Sequence, residues 1–184
     1  MAVVIGILAV AVVVLSWCIS TKNGFRRKEI RVQEGLSGIE VALNKRYDML
    51  TKMLDTAKGY MGHEEELFTR TIELRRGMNI GELNLAQKEM NTWSGQFFAV
   101  AENYPELRSS EVFVELQRGI RDSEEHLQAA RRLYNANVKD YNTSISMFPA
   151  SLLAGGRMPM EFFTAEEGKG QDVKMVFVKQ GEKA

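Results

Sequence analysis

The sequence contains little cysteine, proline or histidine, which argues against a disulfide-stabilised or metal-binding protein and against frequent helix breaks. Its single cysteine, Cys18, cannot form an internal disulfide bond and offers no thiolate cluster for a metal ion. Only three prolines interrupt the chain, which favours long helices. Lys+Arg and Asp+Glu are equal at 24 each, so no net charge draws the protein to nucleic acid.

Motifs for catalysis or metal binding are also absent from the sequence. His63 and Glu64 begin a zinc-protease pattern, but Leu67 stands where the second histidine is required. The other histidine, His126, lies among acidic residues typical of a solvated helix face. No glycine-rich phosphate loop or nucleophile elbow is present. We therefore predict no catalytic, cofactor-binding or metal-binding residues and no enzyme activity.

The N-terminal stretch has the length and composition of a membrane span. From Ala2 to Ile19 it carries no charged side chain, and as a helix it would be about 27 Å long. A cleaved secretory signal would have a basic segment first, and a lipoprotein site would not place Trp17 directly before Cys18. We predict a transmembrane helix over residues 1–21, with the lipid bilayer as its partner.

Basic residues follow this span directly. Together with Trp17, an aromatic residue suited to the membrane interface, the residues predicted to lie at that interface are Lys22, Arg26, Arg27 and Lys28. They belong to a basic juxtamembrane segment over residues 22–35. By the positive-inside rule, the rest of the chain is expected on the cytoplasmic side.

A long heptad pattern runs from Ser109 to Phe148 and predicts the central helix of a bundle. Its apolar residues at spacing seven are Phe113, Ile120, Leu127, Tyr134, Tyr141 and Phe148. Within it, Tyr134-Asn135 and Tyr141-Asn142 repeat at the same spacing, which indicates buried tyrosines beside hydrogen-bonding amides.

Two further helices are predicted before the central one. Heptads from Leu36 to Leu74 predict a first helix, which either continues throughout or turns back at Gly59–Gly62, where glycine weakens a helix. Arg46 falls within its apolar rows and is expected at their edge, with its charge in water. A second helix is predicted over 82–104, ending before Pro105.

The predicted fold is all-α: an N-terminal transmembrane helix, an antiparallel bundle of three to four long helices over residues 36–148, and an irregular C-terminal tail over 149–184. Short loops between the helices make sequential neighbours antiparallel.

Ordered motifs along nearly the whole chain resemble those of the LemA family. The motifs are Lys45 to Leu50, Lys58-Gly59-Tyr60 with His63-Glu64, Val100 to Leu107, Phe113 with Leu116-Gln117, Ala130 to Asn135, Tyr141-Asn142, Phe148-Pro149 and Phe162-Phe163. One departure is Thr51-Lys52, where many members of the family carry an Ile-Pro step. The resemblance implies a bacterial single-pass protein of the inner membrane, with a helical bundle and without established enzymatic activity.

The mismatch in predicted helix lengths suggests an interaction surface. If the first helix is continuous, the Tyr134 to Phe148 end of the central helix lacks full cover, and exposed aromatic patches commonly mark contact sites. A turn at Gly59–Gly62, or a tail that folds back with Leu152, Leu153, Phe162 and Phe163, would supply cover within one chain. The residues predicted for this surface are Tyr134, Tyr141, Ile145, Phe148, Phe162 and Phe163. We expect a membrane-anchored interaction protein that forms homo-oligomers or scaffolds other membrane proteins. The alternatives are an adaptor for a membrane protease or envelope-stress system and, more distantly, a metal-dependent enzyme.

Overall fold

The computed structural model describes residues 1–60, 74 and 77–164. Its elements in chain order are α1 (Ala2–Ala57), α2 (Ile80–Ala101), α3 (Pro105–Ser109), α4 (Glu111–Ser146) and a 3₁₀ helix (Ala150–Leu153). No strand occurs within these residues, and the prediction of an all-α fold with a long apolar N-terminal helix is confirmed. The predicted tail beyond residue 164 lies outside the described residues.

Helix α1 joins the predicted span and the bundle without a break. It has 56 residues and is therefore about 84 Å long. Burial starts at Phe25 and continues at Val32, both within the predicted juxtamembrane segment. The packed bundle thus begins earlier than the predicted boundary at residue 36. Phe25 and Val32 continue the heptad row of Ile39 backward at spacing seven, and this places all three on the same face of α1.

The far end of α1 also differs from the prediction. The helix stops at Ala57, and residues 58–60 form a turn. The heptads over 36–74 therefore do not form one continuous helix. Gly59 lies within that turn, as the alternative of a break at Gly59–Gly62 requires, whereas Gly62 is outside the described residues.

The main packing interface of the bundle joins α1 and α4 in antiparallel orientation. Its register is fixed by cross-helix bonds, of which Lys28 to Asp140 and Arg46 to Glu124 are two. The backbones approach closely at Gly35, where an added Cβ atom would lie 3.0 Å from the Cα atom of Tyr134. Glycine is needed there because a larger side chain would push the two helices apart.

Helix α2 packs aromatic side chains against the N-terminal part of α4. Trp93 stacks on Phe97 with ring centroids 5.6 Å apart, and Phe97 lies 6.2 Å from Phe113 on α4. The start of α2 is fixed by a capping box between Asn79 and Glu82.

Helix α4 begins where the sequence predicted. The side chain of Ser110 caps the helix, because it accepts a hydrogen bond from the backbone N–H of Phe113 at 3.2 Å. The helix ends at Ser146, so Phe148 lies beyond it.

Candidate functional site

The residues predicted for the membrane interface have different surroundings. Trp17 is 40 % exposed on α1, and Lys22 and Arg27 are exposed as well. Arg26 is exposed too, although it pairs with Glu29 one turn along the same helix. Lys28 alone is half-buried, and its ion pair with Asp140 directs it to α4. Most of the predicted basic cluster therefore remains accessible at the surface.

A network around Glu29 joins the start of the bundle to the chain after α4. The carboxylate accepts a hydrogen bond from Arg157 Nε at 2.8 Å and a second from Arg26 at 3.0 Å. The Arg157 guanidinium also lies over the ring of Phe25, 5.3 Å from its centroid. The hydrogen bond from Arg157, followed by that from Arg26, holds the pKa of Glu29 below its ordinary value of 4.5. This network ties the turn around Arg157 to the first buried residue of α1.

Two further polar contacts connect α1 with α4 at this end. Lys28 Nζ lies 2.8 Å from Asp140 Oδ1, and the side-chain amide of Asn137 donates a 2.9 Å hydrogen bond to the carbonyl of Arg31. Because Asn137 binds the backbone of the facing helix, it can fix the register of the pair.

Two asparagines of α4, Asn135 and Asn142, bind the chain segment that folds back along this helix. Asn142 binds Met160, and Asn135 binds Phe163 in the same way. We call this arrangement the asparagine clasp. Asn142 donates to the Met160 carbonyl at 2.9 Å and accepts from the Met160 N–H at 2.8 Å. Asn135 makes the equivalent pair of bonds with Phe163, at 2.9 and 2.8 Å.

The spacing of the clasp follows from the geometry of helix and extended chain. Seven residues of helix separate Asn135 from Asn142, a rise of about 10.5 Å. Three extended residues separate Met160 from Phe163, a span of about 10 Å. Because the two lengths match, the side-chain amides act as a ladder for the chain that runs back along α4.

The clasp is reinforced by the neighbouring side chains. The Tyr134 hydroxyl donates to the Glu161 carbonyl at 2.9 Å, and Arg131 donates to the Thr164 carbonyl at 3.1 Å. The Arg131 guanidinium also lies 4.9 Å from the ring centroid of Phe163. Burial, followed by the nearby Glu161 carboxylate, raises the pKa of Tyr134 above its ordinary value of 10.0. Tyr134 is thus a core residue that also binds the tail backbone.

Arg46 is buried rather than placed at an edge as the sequence suggested. Its residue exposure is 5 %, and its guanidinium lies 2.7 Å from the carboxylate of Glu124 on α4. The partner on the facing helix makes burial tolerable, since a buried charge needs a close counter-charge. Glu64, the other charged residue noted in the heptad rows, lies outside the described residues.

The predicted interaction surface is largely internal. Tyr134, Tyr141 and Ile145 are buried, so the expectation that they lack full cover is wrong, whereas Phe148 is 81 % exposed as expected. Of the two aromatic residues of the tail, Phe163 is buried and Phe162 is 47 % exposed. The physical reason is that α1 begins packing at Phe25 and the chain after α4 folds back over the helix.

The described part of the chain holds no cluster of metal-binding side chains. Within residues 1–60, 74 and 77–164, no group of three or more His, Cys, Asp and Glu side chains is placed to hold a metal ion. His126 is exposed on α4, and His63 lies outside the described residues.

Sequence reasoning missed two contributors to this end of the molecule. Arg157 sits in an irregular segment after Gly155-Gly156, where no periodic pattern indicates its contact with Glu29. The asparagines were recognised as hydrogen-bonding residues, but their partners on the returning chain were not. The matching spacings of seven helical and three extended residues are the signal that could have revealed them.

Comparisons with known proteins agree with this fold and these motifs. A family model described as the LemA family matches residues 35–177. A curated relative, Protein LemA of Metamycoplasma hominis, is 23% identical over 141 residues, which cover 74% of this chain and 64% of the relative. The chain thus spans about 64% of that relative's length. Because the family model covers well over half of its residues, the chain belongs to the LemA family.

Proposed function

We propose that this protein is anchored in the inner membrane by the first part of α1 and presents its helical bundle to other membrane proteins, including copies of itself. The observation that carries the proposal is the continuity of α1. Its most apolar window of 18 residues is not buried at all, and the same helix then enters the bundle. An exposed apolar helix of this length is stable in a bilayer and costly in water.

The folded part supports a role in binding rather than simple anchoring. Residues of α1 from Phe25 onward are held by α4 and by the Arg157–Glu29 network, so the bundle sits directly at the end of the span. Confinement of copies to one membrane plane raises their effective concentration, so even a weak contact between bundles would form dimers. The outward-facing basic residues Lys22 and Arg27 favour a cytoplasmic bundle.

Anchoring is tested first, by membrane fractionation and intact-mass measurement of the full chain. The expected product is found in the membrane fraction, resists extraction with carbonate, and retains residues 1–20. The matched control lacks residues 1–20 but keeps Phe25 and every buried residue after it, and is expected in the soluble fraction. A soluble mature protein without residues 1–20 would show a cleaved signal and overturn the anchor.

Binding is tested on the full chain taken from native membranes into polymer nanodiscs. Mass measurement is expected to show two or more copies, or one copy with a stoichiometric membrane-protein partner. A monomer without such a partner would contradict the interaction role while leaving the anchor intact. A protease as that partner would support the adaptor role.

Orientation is tested with a Cys18→Ser chain that carries a single new cysteine at the exposed Leu85 of α2. An impermeant thiol reagent is expected to label this cysteine only after the inner membrane is disrupted. Labelling in cells with an intact inner membrane and a permeable outer envelope would reverse the topology.

A further inference from the structure

The chain that follows α4 forms a tip at one end of the bundle, and this tip carries exposed apolar side chains. We define the apolar tip as residues 147–158. Its exposed apolar members are Met147 at 61 %, Phe148 at 81 %, Leu152 at 74 % and Met158 at 79 %. Four such large side chains within twelve residues form a patch that the core of this chain does not use.

The register of α1 against α4 places the tip beside the end of the apolar span. Asn137 contacts Arg31, and three residues further along α4, Asp140 contacts Lys28, three residues earlier on α1. Continuing this antiparallel register from Asp140 to Ser146, the last residue of α4, reaches the level of Lys22. Lys22 directly follows the predicted span over residues 1–21, and the tip begins at the residue after Ser146.

The tip is held at that level by specific contacts. The 3₁₀ helix packs on both α1 and α4. Arg157 bonds Glu29 and stacks on Phe25, so the far side of the tip is tied to the start of the bundle. Beyond the tip, the asparagine clasp carries the chain back along α4, away from the span.

Part of the tip's backbone is hydrogen-bonded within the tip itself. Ser151 donates to Met147, Leu152 to Pro149, Ala154 to Ser151 and Arg157 to Ala154. Unbonded backbone groups are costly near hydrocarbon, and these four bonds remove that cost for the groups they join. Gly155 and Gly156, with φ of 57° and 78°, reverse the chain without adding side chains.

Charge in the tip also fits a lipid surface. From Met147 to Met160 the sequence has no acidic residue, and its one basic residue is Arg157. A segment without negative charge is not repelled by anionic head groups, and its exposed Phe, Leu and Met side chains gain free energy on leaving water.

From these observations we infer that the apolar tip inserts into the interfacial region of the bilayer, as a second membrane contact beside α1. The inference rests on the proposed anchoring of α1. With two contacts, the bundle would be held in one tilt relative to the membrane plane. The occupant of the patch is thus lipid, and a second copy of the chain is an alternative that the experiment distinguishes.

The test uses nitroxide spin labels on the full chain in nanodiscs containing anionic lipid. In a Cys18→Ser background, single labels replace Phe148 or Leu152 in the tip, Leu133 as a control on α4, and Val10 in the span. All four positions are exposed, so folding should be retained. Collision rates with oxygen, which concentrates in lipid, are compared with those of a water-soluble nickel chelate. Leu133 lies about 20 Å of helix away from Ser146, the residue that precedes the tip.

The expected result is oxygen-dominated relaxation at positions 10, 148 and 152, and nickel-dominated relaxation at position 133. If position 10 lies in lipid while 148 and 152 behave like 133, the second contact is refuted and the anchor stands. If position 10 is in water, the anchor itself fails. If the tip is shielded from both reagents and its spectra broaden between fully labelled copies, a second chain covers it, and the lipid assignment is wrong.

Discussion

Replacing Asn142 with alanine removes one half of the asparagine clasp. The side chain makes two hydrogen bonds with Met160, at 2.9 and 2.8 Å, and the Met160 site is partly buried. A typical hydrogen bond contributes about 0.5–1.5 kcal/mol net, so the loss of both should weaken the local attachment of the chain by about 1–3 kcal/mol. Opening of the returning chain should then become about 5- to 150-fold more frequent.

Amide hydrogen exchange of the full chain in nanodiscs measures this directly, because the Met160 N–H is itself a clasp donor. Exchange at Met160 should accelerate by that factor in Asn142→Ala, with a smaller effect at Phe163, which Asn135 still holds. Asn44→Ala, at an exposed position of α1, is the matched control, since it has the same change in helix propensity. Equal protection of Met160 in the two variants would refute the view that the clasp holds the tail.

Three further predictions concern the α1–α4 interface and the network around Glu29. Gly35→Ala should destabilise the protein by about 1–2 kcal/mol in chemical denaturation, because its Cβ would press on the backbone of α4, whereas Gly38→Ala has room and should gain up to about 1 kcal/mol; equal effects would contradict the close approach. Arg46→Ala should lower the free energy of unfolding by about 2–4 kcal/mol, and Arg46→Met should recover most of this loss because methionine refills the buried space. A methionine variant as unstable as the alanine variant would show that the ion pair itself dominates. Because the pKa of Glu29 is lowered, its charged form stabilises the fold above about pH 4.5, and this contribution is lost as the pH falls through the lower folded pKa. The melting temperature of Glu29→Gln should therefore fall less on acidification than that of the wild type. Parallel curves of melting temperature against pH would argue against the pairing with Arg157.

The periodic parts of the fold could be predicted from the sequence. In α4, the residues at spacing seven from Phe113 to Tyr141 are all buried, because a strict heptad places them on one face of a helix. The same reasoning located α2, where Trp93 and Phe97 are buried. Such patterns can be predicted from the sequence because many residues meet the same requirement, namely to lie on one face of a helix.

The predicted start of the bundle is too late, because the many basic residues before residue 36 conceal the heptad row that runs through them. Residues 22–35 are rich in Lys and Arg, which suggested a solvated segment, yet Phe25 and Val32 continue the row of Ile39. Extending that row backward would have revealed the cover over Tyr134 and Tyr141. The predicted lack of cover rests instead on a first helix that packs from residue 36 and continues to 74, whereas α1 packs from Phe25 onward and ends at Ala57.

The tail could not be placed from the sequence, because it is positioned by single contacts rather than a repeat. Phe162 and Phe163 are adjacent and chemically identical, yet one is 47 % and the other 2 % exposed. The choice depends on which backbone amide meets Asn135. The ion pair of Arg157 with Glu29 likewise joins residues far apart in the chain and leaves no local pattern.

Because α1 continues without a break from the predicted span into the bundle, it fixes the rotation of the bundle about the helix axis as well as the distance of the bundle from the span. Each residue turns a helix by about 100° and advances it by about 1.5 Å. One residue inserted between Ser20 and Phe25 would swing the bundle by about 100° around the helix axis, whereas seven would restore its heading to within about 20° and raise it by about 10.5 Å. With α1 anchored as proposed, the number of residues in this short stretch would set which side of the bundle faces a neighbour in the membrane. Any torque that turns the span would turn the bundle with it.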